Sequence, residues 1–353
     1  MPSSRPVTWR TLDVDTRPLK GGQMSDHFPD DETLRSALSL AVRAPSVHNS
    51  QPWQWRLGEL SLHLYANPDL LLPHTDPDGR DLMLSCGAAL NHCVVALAAL
   101  GWQCRVHRLP NTAEPTHLAA LELYPHPAVD LDVTLAAAIP RRRTDRRHYS
   151  SWPVPRADIA LMGARAAGVG VILHRVDDLI GLRTLIAEAA FRHGSDREYV
   201  AELATWSGRY ASTAGVPARS VPGADSGAPI PVRAFAGGVL QQAPNTEPAD
   251  DNSVVFALGT DHDDALSRLR AGEATSMVLL TATALGLSSC PITEPLEFAD
   301  TREAVRRDVF GTEGYPQMLL RIGWAPVNAD PLPATPRRDL SEVVSLLDGS
   351  APP

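Results

Sequence analysis

The sequence predicts an α+β fold of two fused, similar halves, an intramolecular pseudo-dimer with antiparallel-rich sheets around buried central helices. Three observations lead there. One segment occurs twice: "GAALNHCVVALAALGW" (Gly87 to Trp102) aligns without a gap on "GEATSMVLLTATALGL" (Gly272 to Leu287). Each copy opens on Gly, stays apolar through its centre and closes near Leu-Gly. Helices of that composition must be buried on most sides, and two copies far apart in sequence suggest halves packed across a pseudo-twofold axis. Chance likeness between two all-apolar helices is the alternative. The second observation is that short strand-like segments flank both copies. The third is that Gly and Pro crowd together chiefly between Ala204 and Pro248, where regular structure is not expected. The halves then span 24–135 and 136–345, the second carrying 204–248 as an insertion.

Taken in order, residues 1–23 show no periodicity and read as a disordered tail, and 346–353 as a second tail. Asp31 to Val42 sets Leu34, Leu38 and Val42 four residues apart, the pattern of an amphipathic helix. It must stop before Pro45, since a residue preceding proline is pushed out of the helical region. Trp53–Leu57 and Ser61–Tyr65 alternate like strands around a turn at Gly58. The first apolar helix runs from Gly87 to Leu100 and ends at Gly101, a natural left-handed cap. Gln103–Leu109, Leu118–Tyr124, Ser253–Leu258 and Gln317–Ile322 read as strands, and Glu273–Leu285 as the second buried helix.

Composition narrows the function. Hydrophobic residues at 44% and charged residues at 21% of 353 suit a globular chain with a sizeable core, as two average domains or one large one. A net charge of −9 argues against nucleic acid or an anionic membrane as partner. Twelve His form no HExxH spacing, so no metal site is expected. Four Cys without a CxxC pair read as reduced, buried thiols. Met1 to Gln23 lacks an apolar signal core. Leu82 to Leu100, interrupted by Ser85, Asn91 and His92, reads as a buried helix rather than a membrane span. The expected location is cytoplasmic.

Four segments carry chemistry. In "RAPSVHNSQPWQW" (Arg43 to Trp55) a stopped helix leads into Ser46, His48, Asn49, Ser50 and Gln51, followed by Pro52 and two Trp on an alternating strand. Polar groups rimmed by aromatics suit a planar ligand with one polar edge, though a capped loop before an ordinary strand fits as well. "RRRTDRRHY" (Arg141 to Tyr149) offers guanidinium groups and a hydroxyl to a phosphate, or is a solvated basic run. "LGLSSCPITEPLE" follows the second buried helix. Arg337 and Arg338 follow the last strand, as anion ligands or surface charges.

Together these segments resemble the FMN-dependent nitroreductase family. "APSVHNSQPW" is similar to the segment that, in that family's dimers, touches the flavin held by the other subunit. That implies flavin contacts for Ser46, His48, Asn49, Ser50, Gln51 and Pro52. Arg142, Arg143, Thr144 and Arg146 match the family's Arg-Arg-x-Ser-x-Arg phosphate motif, with Thr in place of Ser. Pro291, Ile292, Thr293 and Glu294 align with a Pro-Ile-Glu-Gly loop whose backbone N–H faces flavin N5. Glu294 in place of Gly keeps that donor and crowds the approach. Arg337 and Arg338 match a C-terminal basic pair that reaches the phosphate. The likeness covers about residues 30 to 345, thinly between 200 and 250. The motif order and "DPDGRDLMLSCGAAL" resemble the actinobacterial Acg-type branch.

The resemblance implies a nitroreductase-like fold, FMN as cofactor and NAD(P)H as co-substrate, with nitro compounds or quinones reduced through hydride chemistry at N5 and no side chain compelled as acid or base. Because the Pro-Ser-x-x-Asn segment lies only in the first half and the other three only in the second, one composite site per chain is expected. A single chain is then the functional unit, with further dimerisation open. Two readings stay open: an oxidoreductase, or a non-catalytic protein that sequesters its flavin under a lid formed by 204–248, with Trp206, Tyr210 and Phe235 near the ring.

Overall fold

The structure is a computed structural model that describes residues 28–208, 212–223, 227–244, 246–311 and 313–351; the expected tail 1–23 and Tyr210 lie outside the described residues. Helix α1 (Asp31–Ala41) starts where the Asp30 carboxylate accepts from the Thr33 N–H, a cap worth about 1 kcal/mol. It buries Leu34, Ala37, Leu38 and Ala41 on the expected face. Strands β1 (Trp53–Leu57) and β2 (Leu62–Ala66) form the expected hairpin, and helix α2 (Arg80–Ala99) leads to β3 (Trp102–Arg108), β4 (His117–Pro125) and α3 (Asp130–Ala138). Then come α4 (Arg156–Ala167), β5 (Ile172–Arg175), α5 (Leu179–Ser195) and α6 (Arg197–Trp206). The chain continues through β6 (Val254–Thr260), α7 (Ala265–Ala284), β7 (Ser288–Ile292), α8 (Glu294–Glu297), α9 (Ala299–Val305), β8 (Tyr315–Gly323), α10 (Leu340–Val343) and β9 (Val344–Leu346).

Two sheets result, ordered β3-β4-β2-β1-β9 and β5-β6-β8-β7. All pairings are antiparallel except β1 with β9, so the expected α+β class and antiparallel bias stand. Strand β9 comes from the end of the chain yet joins the first sheet, with Val344 opposite Trp55. Helix α6 reaches Trp206, so the irregular segment starts a few residues later than expected; Asp196 caps that helix through the Glu198 and Tyr199 N–H groups.

Helices α2 and α7 pack against each other at the centre, α2 against the first sheet's core and α7 against the second's. Both begin earlier than expected, at Arg80 and Ala265, and both have 20 residues. Their repeat register is visible in space. A Cβ built on Gly87 would lie 2.1 Å from the Leu269 carbonyl oxygen, and one on Gly272 would lie 2.2 Å from the Leu84 carbonyl oxygen. The two matched glycines thus meet, each against the residue three before the other. One turn on, the matched pair Asn91 and Ser276 also meet, the Ser276 hydroxyl donating to Asn91 Oδ1 at 2.7 Å. Glycine is required because the backbones pass too close for any side chain. By length and composition alone α2 is apolar enough to span a membrane, but here it is packed inside the protein.

Candidate functional site

The 46–52 loop is shaped by its own backbone. His48, Asn49 and Gln51 have φ of 47°, 54° and 55°, left-handed values rare outside glycine. Such residues persist only when the surroundings hold them. Here the Val47 N–H donates to Ser85 Oγ on α2, and the Gln51 N–H to Ser46 Oγ. Asn49 Nδ2 donates to the carbonyls of Gly215 and Pro336, and Gln51 Nε2 to those of Asn49 and Thr213. Ser46 and His48 emerge from this loop into two adjoining cavities, which share Pro45, Ser46, His48, Thr144 and Arg146 and are taken together as the cavity; Asn49 borders the smaller of them. Ser50, Gln51 and Pro52 do not line it; Ser50 and Gln51 are fully buried, and the Pro52 carbonyl accepts from Cys86 Sγ.

The basic run is extended, bridged to the second sheet by Thr144 beside Ser289 and by the Asp145 N–H donating to the Ser289 carbonyl. Alternate residues of an extended chain face opposite ways. Arg142, Thr144 and Arg146 therefore border the cavity, whereas Arg141, Arg143, Asp145 and Arg147 face a separate outer cleft. The expectation that Arg143 clamps the ligand gives way on this point. Its guanidinium donates to the carbonyls of Pro140, Arg142 and Leu332.

Arg142 is the contrasting case. It is 6% exposed, and its Nε and Nη1 have no partner. Burial, reinforced by Arg143 and Arg43, pushes its pKa down to about 10. A buried guanidinium with free donors beside other cations is a place for an anion.

The C-terminal pair does other work than the resemblance implies. Arg337 borders the cavity beside Arg142. However, its five N–H groups donate to the carbonyls of Val42, Arg43, Ala44, Thr335 and Pro336. It thus satisfies orphan carbonyls beyond the C-terminus of α1, where a cation is also favoured electrostatically. Arg338 donates to the carbonyls of Ser50 and Gln51, and its backbone N–H to Gln51 Oε1. Arg337 thus fastens the chain just before the 46–52 loop and Arg338 the loop itself, and their donors are spent on backbone carbonyls.

At the other end, Pro291, Ile292, Thr293 and Glu294 line the cavity together with Asp81, Leu84, Ser85 and Ala88 of α2. Arg233, Phe235 and their neighbours in the insertion close it, Phe235 edge-on to His48 at 5.4 Å and beneath the Arg146 guanidinium at 4.9 Å. Trp206 does not line it. Arg233 is latched to Tyr199 Oη, Thr293 Oγ1 and Glu297 Oε1. Burial alone would raise Glu297, but Arg233 and His193 hold its carboxyl at about 2. His48 is buried with neither ring nitrogen partnered, and burial together with Arg233 keeps it neutral, well below the usual histidine range.

Sequence reasoning missed Asp81, Ser85 and Arg233. The signal for the first two was present: polar residues four apart on one face of an otherwise apolar helix. Arg233 stands alone among small and Pro residues, so nothing local marks it.

No protein-family model matches the sequence. A Mycobacterium tuberculosis protein named "Putative NAD(P)H nitroreductase Rv3131" is 62% identical over 321 residues, covering 91% of this chain and 93% of that one. Another from the same organism, "Putative NAD(P)H nitroreductase acg", is 35% identical over 331 residues, covering 91% and 97%. Among solved structures, a nitroreductase with bound FMN from Bacteroides fragilis NCTC 9343 shares 14% identity and a TM-score of 0.36, covering 56% of this chain and 90% of that one.

Proposed function

We propose that this chain, which belongs to the NAD(P)H nitroreductase family of those mycobacterial relatives, in its Acg-type branch, binds one FMN in the cavity between its halves and uses it as an NAD(P)H-dependent oxidoreductase on nitro compounds or quinones. The observation that carries the reading is the cavity itself. It joins the 46–52 loop of the first half to the 142–146 run and 291–294 loop of the second. One end has unpartnered donors on buried Arg142, and the other is a slot lined by Leu84, Ala88, Ile292, Met318 and Phe235. A phosphate at the first end and an apolar ring at the second would satisfy both.

Bound FMN would accept and pass on hydride at its ring. The chain's own residues would bind, orient and exclude water. Arg142, Thr144 and Arg146 would hold the phosphate, while Arg337 adds charge without a donor. Leu84, Ile292 and Phe235 would keep water from the ring faces. Glu294, whose carboxyl burial raises against the pull of Arg233, stands at the approach that the family motif leaves to glycine. The functional unit is one chain in the cytoplasm.

A second reading, a flavin held without turnover, is favoured by the Arg233 latch, which fixes the insertion across the cavity. One preparation tests both. Flavin released from purified protein should be FMN, at close to one per chain; two per chain or FAD would overturn the composite site. Anaerobic bleaching of that flavin by NADH or NADPH supports the enzyme, and an unbleached flavin the sequestering protein.

A further inference from the structure

Asp81 sits in the first turn of α2 and lines the cavity with a carboxyl whose Oδ2 meets no donor among the described residues. The residue is 4% exposed, and that oxygen is itself buried. Its charged and titratable surroundings come from every side. Asp76 precedes the helix and caps it, accepting from the Asp81 and Leu82 N–H groups. Arg80 is its chain neighbour, Glu297 lies on α8 and Arg233 on the insertion, while Glu294 and His48 line the same cavity. Arg80 and Arg233 are committed elsewhere, to Gln317 and the Pro316 carbonyl and to the Glu297–Thr293–Tyr199 set. Burial first, and then the charges of Asp76 and Glu297, push Asp81 up to about 8.

A neutral carboxyl offers one O–H donor and one C=O acceptor side by side. That pair is complementary to a ring edge carrying an N–H next to a carbonyl, as in an imide or lactam. An ionised carboxylate keeps the acceptor but would face the carbonyl with a second negative oxygen. We propose that Asp81 is a specificity residue of the cavity, recognising as a protonated acid the imide edge of the bound ring, so that ligand binding takes up or retains one proton at this carboxyl. The inference rests on the flavin reading above and goes beyond it, since it makes affinity depend on a proton and on the ring edge rather than on the phosphate.

The sign follows from linkage: a ligand that prefers the protonated form binds fully below the pKa of the free site and loses affinity above it. FMN is titrated into the full-length apoprotein by fluorescence quenching at pH 7 and pH 9, above the phosphate ionisation near pH ~6. The dissociation constant should rise about tenfold, one pH unit beyond a site titrating near 8. In Asp81→Asn, which keeps a donor and an acceptor but cannot ionise, the two constants should agree within about twofold. A flavin methylated at the imide nitrogen should bind the parent protein more weakly at pH 7. A pH-independent parent protein, or an Asp81→Asn variant with the parental pH dependence, overturns the proposal while leaving the flavin site standing. No FMN binding at either pH overturns the flavin reading itself.

Discussion

The two faces of the α2–α7 pair can be compared position by position, because the helices have equal length and meet at matched glycines. On one face α2 offers Asp81, Leu84, Ser85 and Ala88 to the cavity. The repeat sets Leu266, Leu269, Arg270 and Glu273 of α7 in the corresponding places. The decisive pair is Ala88 and Glu273. Where alanine leaves room, the glutamate fills the space with a buried carboxylate that accepts from Arg108 Nε and Nη2 at 2.7 and 2.8 Å. Burial raises that carboxyl above its usual range even against Arg108, so the ion pair offsets a desolvation cost rather than adding much stability. One helix scaffold therefore borders a cavity on one face and carries the buried Glu273–Arg108 pair at the matching place on the other.

The largest effect is expected at the seam both faces share. Gly272→Ala would drive its Cβ to 2.2 Å from the Leu84 carbonyl oxygen, where backbone rather than a flexible side chain must yield. We expect a loss of about 3 kcal/mol or more in urea unfolding, well above the ~1 kcal/mol alanine gains in a helix. A variant as stable as the parent would show that the helices do not pass this closely. Next in size, Arg142→Ala should weaken FMN binding by about 1.5–3 kcal/mol, the worth of a charge-assisted partner, whereas Arg143→Ala should change it by less than about 0.5 kcal/mol. Equal losses in a fluorescence titration would put the alternation of the 141–147 run in error. The smallest effect concerns the Glu273–Arg108 pair. Glu273→Ala should cost about 1 kcal/mol of stability, since Arg108 is partly exposed and can rehydrate, and should leave FMN stoichiometry at one. A second equivalent of flavin in that variant would mean Glu273 alone closes the opposite face.

Much of this was legible in the chain. The two central helices and the hairpin strands declare themselves by apolar runs, period-two alternation and Gly caps. Residues 156–206 passed unnoticed although α5 buries Leu182, Ile186, Ala189 and His193 at helical spacing, because Ile180, Ala187, Ala190 and Phe191 on its exposed side blur the contrast between the faces. Strand β9 has three residues, and its partner lies at the other end of the sequence, so no local signal exists. At the site, residue types were readable and directions were not. Arg142 and Arg143 are chemically identical neighbours, and only the extended geometry beside Ser289 decides which one meets the cavity. The roles of Arg337 and Arg338 escaped for a related reason, as backbone carbonyls have no identity in a sequence.

Strand β9 also bears on how the protein comes into being. A ribosome releases Trp55 long before Val344, yet the two must pair to complete the edge of the first sheet. Arg337, which binds the Val42–Ala44 carbonyls, and Arg338, which binds those of Ser50 and Gln51, emerge just before that strand. Until then the loop lacks the Arg338 N–H groups that meet the Ser50 and Gln51 carbonyls and Gln51 Oε1. Contacts this distant in sequence form slowly, after much of the chain has collapsed. The loop beside the cavity is therefore fastened late: it is translated early and receives the Arg338 bonds only after nearly three hundred further residues have been made.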